Sequence, residues 1–538
     1  RGTLFQAASG PRTQSVTNPQ TASQAAAGAM SKLLLILLGS LAVLIQTWVS
    51  FDAGLFDNFW VTLALVVGGV SAVLSLILLI WLRVGTAKAQ NFMHVSAAVL
   101  VLLWMPGTAA MTVKDPYTST GNGYFGAWAA LIFSWLLAAE HYPSVRAPLD
   151  GLVANGGMLV AMLTLASLVV FCQTFWLIVD RHGFDSGEAV WLFVCSGFSL
   201  LILVLLHVGS ISAKVKDSFH LIAIFLFVWW TAGWFVGTFD APYFNTGNGF
   251  FGCWVALFSS FLLADTAGGL RLRQRTESAT SGIPRALLGL TLGSAVALVA
   301  ISYKGWGHGA WWTWAFVCSC VSTALCVFLC IATAVDSGKV ASALQPVSLF
   351  LLLWWIAGTG IMTFEHPFTA ASNGYFGAWI ALVFAAILCY EHAQCLRDLL
   401  GRFGNHGRLL VLLLLASATL MTQVLFDSVD SRKTENIIVA WIVAGGTLAI
   451  CLVMMLAQAK EDVMRVLMVI KFSLWTVGVA VLTFDGPYGH TGNAYFACWF
   501  GFALSALAVW RLYPDCVRKA VPEAGEPPAS VVGVQVAV

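Results

Sequence analysis

Charge is what this chain has least of. Asp, Glu, Lys and Arg make up 10% of its 538 residues, where a soluble domain carries roughly 25%. That scarcity excludes a domain solvated on all sides by a charged surface. The net charge of +2 points to no acidic partner, and no basic stretch interleaved with aromatics marks a nucleic-acid surface. Catalytic signatures are missing as well: there are no paired acids within the apolar runs, no HExxH, no GxSxG, no Walker loop and no CxxC pair. The chain is therefore read as no enzyme, with no cofactor and no metal. Its twelve cysteines build no disulfide framework, because most lie inside apolar stretches, as Cys195, Cys318, Cys326, Cys330 and Cys451 do. Cys318 and Cys320 lack the second ligand pair a zinc site needs. Cys395 and Cys516, beside Arg397 and Arg518, are candidates for S-acylation.

What is present is hydrophobic length. Hydrophobic residues are 59% of the chain and mean hydropathy is +0.85. Runs of the roughly 20 residues needed to cross a bilayer recur throughout. The partner implied is the lipid bilayer, with other membrane proteins as further candidates and no nucleic acid.

The chain also repeats itself. "TSTGNGYFGAW" ends at Trp128, and near copies end at Trp254, Trp379 and Trp499. Anchored on Pro116, Pro242, Pro367 and Pro487, the copies are spaced by 126, 125 and 120 residues. Six residues after each Pro stands Asn122, Asn248, Asn373 or Asn493, and six further on the Trp. Upstream the register holds through Trp104, Trp230, Trp355 and Trp475, then Gly107, Gly233, Gly358 and Gly478, then Thr112, Thr238, Thr363 and Thr483. A period of this kind marks repeated structural units.

Each unit holds four apolar segments, predicted at 33–50, 59–82, 92–113 and 122–141; 157–179, 188–209, 217–238 and 248–265; 284–303, 310–335, 341–363 and 373–391; and 408–426, 437–458, 462–483 and 493–511. The expected fold is an all-α polytopic membrane protein of about sixteen transmembrane helices, arranged as four tandem parallel four-helix repeats. The expected divisions are a disordered or targeting-like segment 1–32, units 33–146, 147–275, 276–400 and 401–513, and a disordered tail 514–538. With both termini cytoplasmic, one side collects 21 of the 27 Lys and Arg. The other holds five (Lys114, Arg181, Lys304, Arg432 and Lys433), and Lys471 lies within a helix. The positive-inside rule thus orients the chain, in a plasma membrane or endomembrane.

The recurrent polar motif has two readings. In the favoured one, Asn caps the fourth helix of each unit and the aromatics seat it at the membrane interface. In the other, Thr112, Asp115, Asn122 and Trp128, with Thr238, Asp240, Asn248 and Trp254, Thr363, Glu365, Asn373 and Trp379, and Thr483, Asp485, Asn493 and Trp499, form one external polar pocket per unit for a cation or small ligand. Gly in the third helix is expected to admit a neighbour's backbone, and Thr to bond across or back to its own helix. Lys471 stands where the other units have Leu100, Leu226 and Leu351. It is either a functional intramembrane charge or a side chain that snorkels to the interface.

Segments such as "NGYFGAWAALIFSWLLAAEHY" from Asn122, small-residue and aromatic-rich at the end of a four-helix unit with short external loops, give each unit a topology that resembles the MARVEL-type tetraspan membrane proteins. That resemblance implies a four-helix fold per unit and a membrane-organising or scaffolding role. The chain departs from it in its fourfold tandem repetition. A transporter or channel with a path between the repeats is the competing expectation.

Overall fold

In the computed structural model the described residues are 19–50, 58–84, 87–147, 157–180, 186–209, 213–267, 277–278, 280–304, 309–401, 404–427, 434–456 and 461–513. The expected tail 514–538, Cys516 and loop charges such as Arg271, Arg273, Arg275, Arg432 and Lys433 lie outside them.

The fold is all-α. Its helices are α1 Pro19–Ser50, α2 Phe59–Val84, α3 Ala87–Val113, α4 Asn122–His141, α5 Gly157–Asp180, α6 Gly187–Gly209, α7 Ala213–Phe235, α8 Asn248–Thr266, α9 Arg285–Lys304, α10 Ala310–Val335, α11 Ser337–Gly360, α12 Asn373–His392, α13 Gly404–Asp427, α14 Thr434–Leu456, α15 Glu461–Gly478 and α16 Asn493–Leu512. Sixteen spans among the described residues are long and apolar enough to cross a membrane, consistent with a multi-pass integral membrane protein. Extended structure among them is limited to one bridge between Asn245 and Ser372. Helix α1 starts earlier than expected, at Pro19, because "QTASQAAAGAM" is rich in strong helix formers.

Contacts sort the helices into four groups of four. Within the first, α1 packs on α2 and α4, and α3 on α2 and α4. The same cycle recurs in α5–α8, α9–α12 and α13–α16, and each group has its own apolar core around one fully buried Trp: Trp104, Trp230, Trp355 or Trp475. The seam between first and fourth helices runs on small residues. A Cβ on Gly39 would lie 2.7 Å from the Gly126 carbonyl oxygen, and one on Gly293 would lie 2.6 Å from the Ala381 nitrogen. Backbone therefore meets backbone at this seam, and not at the third-helix glycines expected to do so. Those face side chains instead: Gly107 meets Val67, Gly233 meets Cys195, Gly358 meets Cys318 and Gly478 meets Val443.

The third helices of the last three groups end in a widened turn, Val236–Asp240, Ile361–Glu365 and Val479–Asp485. In the first group the Asp115 amide reaches back five residues to the Ala110 carbonyl in the same manner. These turns touch the first helix of a neighbouring group: that of α7 meets α9, that of α11 meets α13, and that of α15 meets α1. The last contact joins the two ends of the chain's helical body. The groups thus close on one another at the end where the repeated motif lies, called here the motif end.

Candidate functional site

At a helix C-terminus the last carbonyls have no partner within the helix, and a widened turn frees them further. Each motif Thr sits at such a place. Its hydroxyl donates to the carbonyl four residues earlier, from Thr112 to Thr108, Thr238 to Trp234, Thr363 to Thr359 and Thr483 to Val479, at 2.7–2.8 Å. The hydroxyl oxygen and the Thr carbonyl then remain as acceptors side by side.

The Asn of the next group fills that acceptor pair. Asn248 donates to the Thr112 carbonyl and Oγ1, both at 2.9 Å. Asn373 does the same to Thr238 at 3.0 and 2.9 Å, and Asn493 to Thr363 at 2.9 and 3.0 Å. Asn122 closes the circuit on Thr483, at 2.9 and 3.0 Å across 361 residues of sequence. The amide oxygen is used as fully. Trp128 Nε1 donates to Asn248, Trp254 to Asn373, Trp379 to Asn493 and Trp499 to Asn122, each at 3.1 Å. Tyr124 and Tyr495 hydroxyls add bonds to Asn248 and Asn122 at 2.8 and 2.9 Å. An indole N–H only donates and a carbonyl only accepts, so these partners allow one orientation of each amide. All four Asn are buried, at 4% exposure or less.

This corrects the capping expectation. The residue preceding each fourth helix is Gly121, Gly247, Ser372 or Gly492, with extended backbone and no side-chain cap bond. Asn is the first residue inside the helix, and its amide points into the neighbouring group. An N-cap would find its partner within the unit, whereas Thr, Trp and Asn converge only between units. Thr bonds both back to its own helix and across to the next group, as expected, and Tyr124 and Trp128 grip one oxygen.

The hydrogen bonds described above involve none of the acids. Asp240 and Asp485 are exposed and Glu365 is half-buried, while Asp115 accepts a bond from Asn58 at 3.2 Å. The first unit's Lys114 instead reaches the next group, 3.5 Å from Asp180 and 3.9 Å from the Trp176 ring centre.

Where the four motif loops meet, the Thr120 hydroxyl bonds those of Thr246 and Thr491 at 2.6 and 2.7 Å. The matching residue of the third unit is Ala371, tied in through its backbone to Thr246 and Thr491. Burial pushes the nearby Tyr117 and Tyr243 phenols above their ordinary range, opposed by hydrogen bonds with Thr47 and Thr174.

Lys471 does not snorkel. It is fully buried, and its Nζ lies 3.7 Å from Cys451 Sγ. The fourth group differs around it. In the first and third groups the core Trp donates to Ser71 or Ser322 at 2.8 Å. In the fourth, Trp475 lies against Gly501, where a Cβ would come within 2.4 Å of the ring; Trp475 Nε1 and Thr447 Oγ1 find no hydrogen-bond partner among the described residues, nor does Trp230 Nε1 of the second group. Ala130, Ala256 and Ala381 hold the place of Gly501 in the other units.

Compared with known proteins, the chain matches no family model, no curated protein and no solved structure.

Proposed function

We propose that this chain is a multi-pass membrane protein whose four tetraspan-like units are parallel repeats closed into a ring, and that the ring organises the membrane or scaffolds other membrane proteins. The observation that carries this reading is the Asn–Thr–Trp circuit, which spends each motif amide on joining one unit to the next. A solute site needs polar groups left over, and the acids that would charge one stand apart. A lipid environment is supported by large apolar side chains left outside the cores, such as Leu102 at 71% and Phe328 at 65% exposure, an excess that soluble monomers avoid. The excess of Lys and Arg on one side supports an orientation with both termini in the cytoplasm and the motif end outside. The role proposed is not an enzymatic one.

The test is solute flux and conductance in liposomes containing the purified chain. The scaffold reading expects no more flux than in empty vesicles. A transporter or channel is the second reading, favoured by the hydroxyl collar of Thr120, Thr246 and Thr491. It requires flux that changes when those residues are replaced by Val.

A further inference from the structure

One seat distinguishes the fourth unit from the other three. After the motif Pro, the rings of Tyr117, Tyr243 and Phe368 lie on the second residue of the following fourth helix. A Cβ on Gly123, Gly249 or Gly374 would stand 2.4, 2.4 or 2.3 Å from a ring carbon, so only glycine accepts the ring there. The fourth unit has Ala494 at this position. Its loop backbone keeps the common bond: the Tyr488 amide donates to the Leu482 carbonyl at 3.0 Å, as Tyr117, Tyr243 and Phe368 do to Met111, Gly237 and Met362 at 2.8–2.9 Å. The amide stays anchored, while the Ala494 methyl stands where the other units leave room for the ring.

The hydroxyl's partner changes in step. Tyr117 and Tyr243 bond Thr47 and Thr174 on the first helix. In the third unit both polar partners are gone, with Phe368 facing a first helix that carries Ile301 at that register. The fourth unit keeps the phenol but has Val424; the Tyr488 hydroxyl lies near Asp427, three residues on, without a hydrogen-bond partner among the described residues.

Beside Tyr488 lies a cavity of about 640 Å³, lined by Gln423, Asp427, Ile437, Tyr488, His490 and Ala494 among others. Ligand pockets commonly measure about 300–1,000 Å³. The half-buried Asp427 carboxylate is oriented by two bonds from Gln423 Nε2, at 3.1 and 3.2 Å. No described Lys or Arg pairs with it. No group of three or more His, Cys, Asp or Glu among the described residues is arranged to hold a metal, and one carboxylate is too few for a divalent ion that takes about six oxygens. The tyrosine rings and apolar lining suit a cation that carries carbon.

We propose that this cavity binds a small organic ammonium ion, its charge held at Asp427 and its carbon body against Ile437, Pro487 and Ala494. The site goes beyond the scaffold reading: the circuit's Asn493 lines the cavity, but its charge partner is Asp427, which the circuit does not use. The test is calorimetric titration of the detergent-purified full chain with choline, alongside dimethylbutanol, choline's uncharged carbon isostere. Saturable choline binding is expected, with at least a tenfold preference over dimethylbutanol. Asp427→Asn is expected to weaken choline at least tenfold. Ala494→Gly restores the ring seat of the other units and is expected to weaken choline at least tenfold by refilling the cavity. Both variants should keep the wild-type elution profile and melting behaviour. No saturable binding, equal binding of dimethylbutanol, or unchanged choline affinity in either folded variant would overturn the proposal.

Discussion

Replacing Asn122 by Ala tests the junction that no loop enforces, because it joins the first unit to the fourth. The side chain donates twice to Thr483 and accepts from Tyr495 and Trp499. Truncation leaves two hydroxyls (Tyr495 and Thr483), an indole N–H and a carbonyl without that partner. An orphaned buried polar group costs about 1–3 kcal/mol, but interhelical hydrogen bonds in membranes average only about 0.6 kcal/mol in double-mutant cycles. Between these bounds the expected loss is about 2–4 kcal/mol for Asn122→Ala. Asn248→Ala should fall in the same range, since Tyr124 and Trp128 hold it alike. Asn373→Ala should lose less, about 1–2 kcal/mol on the same scale, because Phe250 stands where a Tyr would donate and Trp254 is the one donor orphaned beside the Thr238 acceptors. Asn122→Asp should do no better than Ala, because a carboxylate cannot donate to Thr483 and meets its carbonyl instead. The assay is the SDS-unfolding midpoint in mixed micelles, followed by tryptophan fluorescence, for which the 23 Trp give a strong signal. If Asn373→Ala proves as damaging as Asn122→Ala, or if Asp rescues Asn122, the circuit is not what joins the units.

Lys471→Leu, which restores the residue of the other three units, should raise the same unfolding midpoint by about 1–3 kcal/mol, since it removes a buried amine whose partner is a thiol; a lower midpoint would show that the amine is needed. Gly39→Leu should cost more than about 3 kcal/mol and reduce folded yield, because its side chain has to enter the Gly126 backbone; size-exclusion of the extracted protein measures it. The raised phenols of Tyr117 and Tyr243 predict an alkaline limit. A folded-state pKa above the unfolded value gives stability that is complete below about pH 10 and is lost as pH rises toward the folded value. Phenolate absorbance followed with unfolding should show these groups titrating together with loss of structure, and Tyr117→Phe should shift the limit upward.

Much of the architecture is legible in the sequence because apolar length and internal period are local properties. The starts of the four fourth helices are fixed by Asn122, Asn248, Asn373 and Asn493, each preceded by Gly or Ser, and the expected and observed starts coincide. The identity of six registered positions also marks Thr, Asn and Trp as a set. What they do was not legible, because an N-cap and an interunit donor put the same residue type at the same end of a helix. Only the placement of the preceding unit's Thr against that amide separates the two.

The sequence by itself therefore determined the helices, their number and the positions that matter, since hydropathy and repetition need no neighbour to be read. Tertiary structure decided which groups pair. Asn122 meets Thr483 because the chain closes on itself, an outcome no spacing encodes. Structure also decided where the repeats stop being equivalent. Gly123 and Ala494 differ by one methyl group, and that methyl matters only because a ring from the preceding loop lies within 2.4 Å of where it would stand.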